Sequence, residues 1–489
     1  MSDKYIFLTG ATGLLGSYLL KDLLKADRRC VVVVRANRFE NAVQRIESIL
    51  ARFEQEVGFV LPRPVVLEGD LSQPEFGLKK EEQEWVRKHC DTMLHNAASL
   101  SFQVDEKTNE PYRSNVEGTR NVLEFCRKTG IRQFHHVSTA YVAGLRTGLC
   151  RESELDVGQE FGNDYENSKV QAEKLVRAAG FLDSLTTYRP SIIIGDSQTG
   201  YTSTYHGFYT PLKIVHSFIR SEVIDGTPFL GVIGMTGTER KHFVPVDWVS
   251  EASVRILTTP ALHDKVYHLT PLRPITSKTT LRVFEDALKR FVKEKGNHSR
   301  GDAAKTQDSI SNFNMSMLGE MFREQMEVYK AYWRDDPSFD RTNIEAALPN
   351  CPCPNVHYAM LIRLSLFALR NGFGWPRSQP ILPNYRVCDV MSKHIGSDRS
   401  VKNAAYRLGL QVNGPGGSGW TVVCDSRGQI ADCAAGLPVD GTPLVYMNVE
   451  TFRRMTGGGL SLTDALRLGA VHVENPDHVR QFETLFAFL

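Results

Sequence analysis

KYIFLTGATGLLGSYLL, residues 4 to 20, runs from an apolar strand-like segment through three equally spaced glycines into a leucine-rich helical pattern. A strand ending near Leu8 must turn sharply into a helix that begins near Gly13. Gly10 permits the turn, Gly13 lets the backbone approach a diphosphate, and Gly16 lets the helix pack closely on the sheet. The first turn of that helix offers free N–H groups and partial positive charge to phosphates. A glycine triad between a clear strand and a clear helix predicts a dinucleotide loop, with Thr12 and Leu14 among its contacts.

Working outward, YIFLTG, CVVVVRA, PVVLEGD, TMLHNAA, QFHHVST, LTTYRPSIIIG and KVYHLT read as strands, with helical patterns between them up to about Thr270. Alternation of this kind predicts an α/β fold: a Rossmann-type, doubly wound parallel sheet whose strands are buried on both faces. This portion is expected to span 1–377, with an interleaved substrate subdomain mainly at 197–235 and 278–377. WPRSQPILPNYR reads as a linker at 378–385, and 386–489 as a separate small α+β domain. In that domain WTVVCDS, GQIADCAAG and TPLVYMNV read as strands. VETFRRMTGG, SLTDALRLGA and DHVRQFETLFAFL read as helices.

Of the 489 residues 42% are hydrophobic and 23% charged, so a packed protein is expected. A net charge of +2 gives no bulk reason to expect nucleic acid. Nine dispersed cysteines argue for reduced thiols and a cytoplasmic setting. Cys351 and Cys353 lack a second pair or a histidine cluster, so no metal is expected. No secretory signal or transmembrane segment is evident. The best membrane candidate, AMLIRLSLFALRNGFGW, carries Arg363 and Arg370 and reads as a buried amphipathic helix.

The residue after the second strand chooses between dinucleotides. An acid there would hold the ribose 2′-OH of NAD, whereas this chain has Arg35, with Arg38 and Arg45 close behind. Guanidinium groups suit a 2′-phosphate, which points to NADPH. Asp70 and Leu71, after the third strand, are expected beside the adenine, and Ala97 and Ala98 on the nicotinamide side.

STAYVAG follows the fifth strand, and YENSK comes about twenty-five residues later. Tyr165 and Lys169 are four apart and share a helix face. Tyr165 is the candidate acid for a carbonyl oxygen, with Lys169 expected to lower its pKa and to hold the nicotinamide ribose. Thr139 is the expected hydrogen-bond donor to the same oxygen, with Ser138 as its rival. Asn115, in NVEGT, is expected to support the site from behind. His135 and His136 read as structural.

TGATGLLG, NVEGT, VSTAYV, YENSK, YRPSIIIGDSQTG and VPVDWVSEA occur in the order found in extended short-chain dehydrogenase/reductases, which the chain resembles over about residues 4 to 375. VRA, HVSTAYV, RPSIIIGDSQTG and YWRDDPSFDRTN are most similar to the thioester reductase and fatty acyl-CoA reductase branch. The resemblance implies hydride transfer from NADPH to an acyl thioester, on CoA or acyl carrier protein, followed by collapse of a hemithioacetal to aldehyde and thiol. Some members reduce the aldehyde again to an alcohol. Thr139, Tyr165 and Lys169 match the triad of that family. No adenylation or carrier domain lies upstream, so the substrate is expected to arrive as a ready-made thioester.

LVYMNVETFRRMTGGGLSLTDALRLGAVHVE resembles the sterol carrier protein type 2 family, over about residues 386 to 489, which implies lipid binding in an apolar tunnel. Phe452, Met455, Leu462, Leu466 and Leu468 serve equally as that domain's own core. Met315, Met317, Met321 and Met326, with Phe322, form either an adaptable acyl-chain surface or ordinary packing. His206 is a candidate contact for the polar end of the substrate. Two other functions fit the same residues: a sterol or alcohol dehydrogenase, and a lipid-transfer or cofactor-sensing protein without turnover.

Overall fold

A computed structural model describes residues 4–219, 236–296, 334–374, 385–395, 404–414, 416–438 and 441–489. Seven strands form the main sheet, in the spatial order Val266–Leu269, Ser184–Pro190, Gln133–Val137, Cys90–His95, Tyr5–Thr9, Cys30–Val34, Val65–Glu68. The first strand pairs in parallel with the fourth. Parallel pairings continue through the fifth, sixth and seventh, and join the second to the third. Every residue of Cys30–Val34 is buried, as continuous valine runs require of a strand covered on both faces. The chain order reverses around the first strand, and there the carboxyl ends of neighbouring strands open a crevice. Register aligns Thr9 with His95, and His95 with His136, along that edge.

One expected strand is broken in two. LTTYRPSIIIG forms Ser184–Pro190 in the main sheet, then Ile192–Ile194, which pairs instead with Phe243–Pro245. Pro190 has no N–H to continue a ladder. The Ser191 N–H still reaches Leu269 O at 3.2 Å, but the Ile192 N–H turns to His242 O at 3.1 Å. The second strand pair leads into a separate apolar core built by Ile194, Phe208, Leu212, Phe284, Leu288, Leu361 and their neighbours. The helix Tyr358–Arg370 buries Met360, Leu361, Ile362, Leu364 and Leu369 in this core, and Arg370 pairs with Glu294 at 2.8 Å. Among the described residues no helix is long and apolar enough to cross a membrane. The methionine-rich stretch from Met315 to Met326, with Phe322, lies outside the described residues, as does nearly all of the expected linker.

Contacts divide the chain into two compact units, residues 1–22 with 69–376, and residues 23–68 with 377–489. In the second unit a five-stranded sheet has the order Ile430–Ala435, Ser418–Asp425, Ala404–Asn413, Leu444–Asn448, Val471–Val473. Its helices Val449–Thr456 and Val479–Phe488 place Phe452, Met455, Phe482 and Leu485 over Leu408, Leu410, Val422, Val445 and Met447. Two of these strands differ from the sequence reading. Ala404–Asn413 was not anticipated, and VHV, just past the expected helix SLTDALRLGA, is a strand antiparallel to Leu444–Asn448. Gly469, at φ +66°, ends the preceding helical turn. Of the five apolar candidates in this region Phe452, Met455 and Leu462 are core and Leu466 packs on it, but Leu468 is 63% exposed. In the same unit the Val60 N–H donates to Gly469 O at 3.0 Å and Arg29 pairs with Glu474 at 3.2 Å.

Candidate active site

The glycine loop is built as its spacing predicts. Gly10 has φ +73°, a conformation side chains rarely adopt, and a Cβ there would lie 2.7 Å from Ala97 N. A Cβ on Gly16 would lie 1.9 Å from Gly10 O, so the helix Leu14–Lys25 can start against the loop only with glycine at that position. Gly13 differs: its nearest neighbour would be Gly10 O at 3.4 Å, and its outer side is open. The Gly13 N–H donates to Gly10 O at 3.1 Å, closing the turn. The Thr9 hydroxyl accepts from the N–H groups of Asn96 and Ala97 at 3.1 and 3.2 Å, tying the first and fourth strand ends together. These cradles fit a dinucleotide diphosphate. Thr12 lies in the loop and is half-buried; Leu14 opens the helix and is buried. Ala97 is half-buried and Ala98 exposed at the fourth strand end. Asp70 accepts from the Ser72 N–H at 2.9 Å and Leu71 O accepts from Asn121 Nδ2 at 2.8 Å, which fixes the turn after the third strand.

Tyr165 and Lys169 share one face of the helix Asp164–Arg177, which Asn163 caps by accepting from the Glu166 N–H at 2.9 Å. Thr139 lies two residues past the fifth strand and caps the turn Ala140–Ala143; its hydroxyl accepts from the Tyr141 N–H at 3.2 Å, donates to Pro190 O at 3.4 Å, and lies near enough to the Tyr165 phenol to hold its pKa down. The structure therefore brings Thr139, and not Ser138, to the tyrosine. Ser138 turns the other way and donates to Glu173 Oε2 at 2.7 Å. Phe102 sets its ring edge-on to Tyr165, centroids 6.0 Å apart.

The electrostatics differ from the sequence expectation. Desolvation pushes the Tyr165 phenol up to about 12, Thr139 pulls it back, and Glu166 adds to the rise. Lys169 does not acidify it: its ammonium donates to Val137 O at 2.8 Å. Burial in turn lowers Lys169 to about 8, against the opposing charge of Glu173. In a dry site the loss of water outweighs a neighbouring cation that is turned to a carbonyl.

Asn115 sits in a π-type turn, Arg113–Glu117, just before the helix Gly118–Thr129. Its Oδ1 accepts from the Ser99 N–H at 2.7 Å, and its Nδ2 reaches Ser99 O and Ser168 Oγ at 3.1 and 2.9 Å. It thus braces the segment after the fourth strand against the helix Asp164–Arg177.

The sequence pattern of the male sterility protein family matches residues 8–253, half of the chain. The chain belongs to that family. Among curated relatives, the L-2-aminoadipate reductase large subunit of Penicillium chrysogenum is 30% identical over 224 residues, covering 42% of this chain and 16% of that subunit. The fatty acyl-CoA reductase wat of Drosophila melanogaster is 25% identical over 278 residues, covering 50% of this chain and 52% of the fly protein. Among solved structures, the terminal R domain of the myxalamid PKS-NRPS pathway superposes with a TM-score of 0.58 at 25% identity, covering 76% of this chain and 92% of that one. In this male sterility family chain, the sheet is that of the R domain.

The remaining candidates lie apart from the triad in their contacts. In the second unit Arg35 and Arg38 are exposed just after the second strand, and Arg45 donates to Arg35 O at 2.6 Å. Burial lowers the Arg45 pKa, Glu40 opposes this, and the Arg35 charge adds to the lowering. Guanidinium groups at this position suit a phosphate dianion. His206 is exposed and its backbone carbonyl accepts from the Tyr209 N–H at 3.2 Å. His135 bonds Tyr188 OH at 2.9 Å, a structural role, and all nine cysteines are free. Among the described residues no cluster of His, Cys, Asp or Glu could hold a metal.

Sequence reasoning passed over the groups behind the triad. Arg189, in YRPS, is 1% exposed and grips Glu173 through Nη2 at 2.7 Å and Nε at 3.1 Å. Asp336, in RDDPSFDRTN, is buried where it accepts from Tyr141 OH at 2.8 Å and Lys241 Nζ at 2.9 Å. A carboxylate four residues after Lys169, on the same helix face, was the available signal for Glu173.

Proposed function

We propose that this chain is an NADPH-dependent reductase of acyl thioesters. When bound, NADPH supplies the hydride for the thioester carbonyl carbon. The carbonyl oxygen gains a proton from the Tyr165 hydroxyl, and Thr139 donates a hydrogen bond to the same oxygen as charge develops. The resulting hemithioacetal loses its C–S bond, the sulfur leaves as thiol, and the hydroxyl oxygen returns to a carbonyl, giving an aldehyde. Lys169, its ammonium held at Val137 O on the same helix face as Tyr165, would hold the nicotinamide ribose. Phe102 packs edge-on against the Tyr165 ring. The observation that carries the reading is the approach of Thr139 to the Tyr165 phenol, with Lys169 on the same helix face, at the carboxyl edge of a sheet whose glycine loop fits a diphosphate. The reductases among the relatives support the thioester, and Arg35 with Arg45 supports NADPH over NADH.

The five-stranded sheet domain is proposed to bind lipid, which its resemblance to sterol carrier proteins supports. The test is absorbance of the nicotinamide at 340 nm with acyl-CoA and acyl carrier protein thioesters of several lengths. Oxidation of NADPH with matching thiol release supports the reading. No oxidation with any thioester overturns it. Displacement of a fluorescent fatty acid from the full chain tests the lipid proposal separately.

A further inference from the structure

Glu173 lies one turn beyond Lys169 and two beyond Tyr165 on the same helix, and its side chain is 0% exposed. All of its acceptor capacity is engaged. Oε2 accepts from Ser138 Oγ at 2.7 Å and Arg189 Nε at 3.1 Å; Oε1 accepts from Arg189 Nη2 at 2.7 Å and Arg177 Nη2 at 2.8 Å. Arg189 continues to Glu152 O and His268 Nε2, each at 3.3 Å. Ser138 is the residue before Thr139, and Thr139 meets the Tyr165 phenol. The carboxylate therefore closes a loop that leaves the helix at Glu173, crosses to Ser138, passes along the backbone to Thr139, and returns to the helix through Tyr165.

A buried ion pair adds little to stability compared with apolar side chains of similar size. This one stands directly behind two groups that must face one oxygen. We propose that Glu173 is a positioning residue: it locks the strand end carrying Thr139 to the helix carrying Tyr165, and it supplies the negative charge that the Lys169 ammonium feels. The role rests on the reductase reading above.

The other ionisable groups around Lys169 leave that charge task to Glu173. His95 and His136, on the fourth and fifth strands, are held neutral by burial. Arg177 and Arg189 are cations already bound to Glu173. The phenol of Tyr165 keeps its proton.

Two substitutions separate the two tasks. Ser138→Ala cuts the link to the strand and leaves the charge and both ion pairs in place. Glu173→Gln keeps an oxygen for Ser138 and removes the charge. Misplacement of reacting groups by a fraction of an ångström to an ångström costs roughly ten- to a hundredfold in turnover. Ser138→Ala is therefore expected to lower kcat about tenfold, with KM for NADPH and the alkaline limb of the pH–rate profile unchanged. In Glu173→Gln the ammonium loses its anion, deprotonates more readily, and the alkaline limb moves to lower pH by about one unit. Fluorescence titration with NADPH reports the folded fraction of each variant. A fold-only role would lower that fraction and leave kcat per binding-competent chain and the pH limb unchanged. Ser138→Ala turning over at the wild-type rate refutes the proposal, and so does a folded Glu173→Gln whose limb does not move. If Glu173→Gln does not fold, the kcat of Ser138→Ala decides. Wild-type protein without thioester turnover refutes the reductase reading, and this role with it; wild-type turnover with unaltered variants refutes the role alone.

Discussion

Gly13 and Gly16 sit three residues apart in one loop, yet alanine at each is expected to fail for a different reason. At Gly16 the added Cβ falls 1.9 Å from Gly10 O and 2.7 Å from Gly10 C, both backbone atoms that no rotamer change can clear. Restoring ordinary contact requires moving the start of the helix away from the loop by more than about an ångström, and overpacking of this kind costs roughly 1 to 3 kcal/mol or more. At Gly13 the same atom meets only Gly10 O, at 3.4 Å, so the fold tolerates it. Its cost there is that of alanine near a helix start, about 1 kcal/mol. The Gly13 Cβ instead occupies the open side where a diphosphate would lie. Thermal unfolding and NADPH titration of both variants give the assay. Gly16→Ala should lower the unfolding temperature by several degrees. Gly13→Ala should unfold within a degree or two of wild type while binding NADPH at least tenfold more weakly. Wild-type NADPH affinity in Gly13→Ala, or wild-type stability in Gly16→Ala, refutes the reasoning.

Tyr165→Phe keeps the ring beside Phe102 and removes the proton donor. Turnover of thioester should fall at least about a hundredfold with NADPH binding retained, as measured by steady-state rates and fluorescence titration. Arg35→Asp should raise the KM for NADPH at least about tenfold and leave that for NADH little changed, since an acid repels a 2′-phosphate and accepts a 2′-OH. Lys169 titrates at about 8 where an exposed lysine titrates at 10.5. Activity that needs its charge should therefore decline as pH rises through about 8, which a pH–rate profile reads directly. Glu152 is buried, its carboxylate accepts from the His268 and Asn343 N–H groups, each at 2.9 Å, and desolvation raises it to about 7. Its folded pKa lies above the unfolded one, so its contribution is full below about 4.5 and is lost as pH rises through 7. Urea unfolding should accordingly favour wild type over Glu152→Gln more at pH 5 than at pH 8.

The parts legible in the sequence are those where local geometry admits few residues. Gly10 is needed at a positive φ, and Gly16 at a backbone contact, so the spacing of the glycines carried the loop. Continuous valine at 31–34 carried a strand buried on both faces. Tyr165 and Lys169 stood out as candidates through their four-residue spacing together with the glycine loop, NVEGT and STAYVAG that precede them in order. The choice between Ser138 and Thr139 was settled in space, because alternate residues at a strand end point to opposite sides. The direction of the Tyr165 shift was not readable: it depends on how much water the fold removes and on where the Lys169 ammonium turns. Glu173 and Arg189 meet only because the sixth strand runs beside the fifth, a contact sixteen residues apart that no periodicity announces. In the second unit LRLGAVHV continues a helical pattern past Gly469, and the short strand Val471–Val473 was hidden by it.

The claim on which the rest depends is hydride delivery to a thioester carbonyl at Tyr165. NADPH carrying deuterium at the transferable position, incubated with an acyl-CoA and followed by mass spectrometry of the product, tests it. The account predicts aldehyde or alcohol bearing deuterium at the former carbonyl carbon, with an equivalent of free thiol, and neither product from Tyr165→Phe. Deuterated product from Tyr165→Phe at the wild-type rate, or NADPH consumed with the label absent from the acyl carbon, would contradict it.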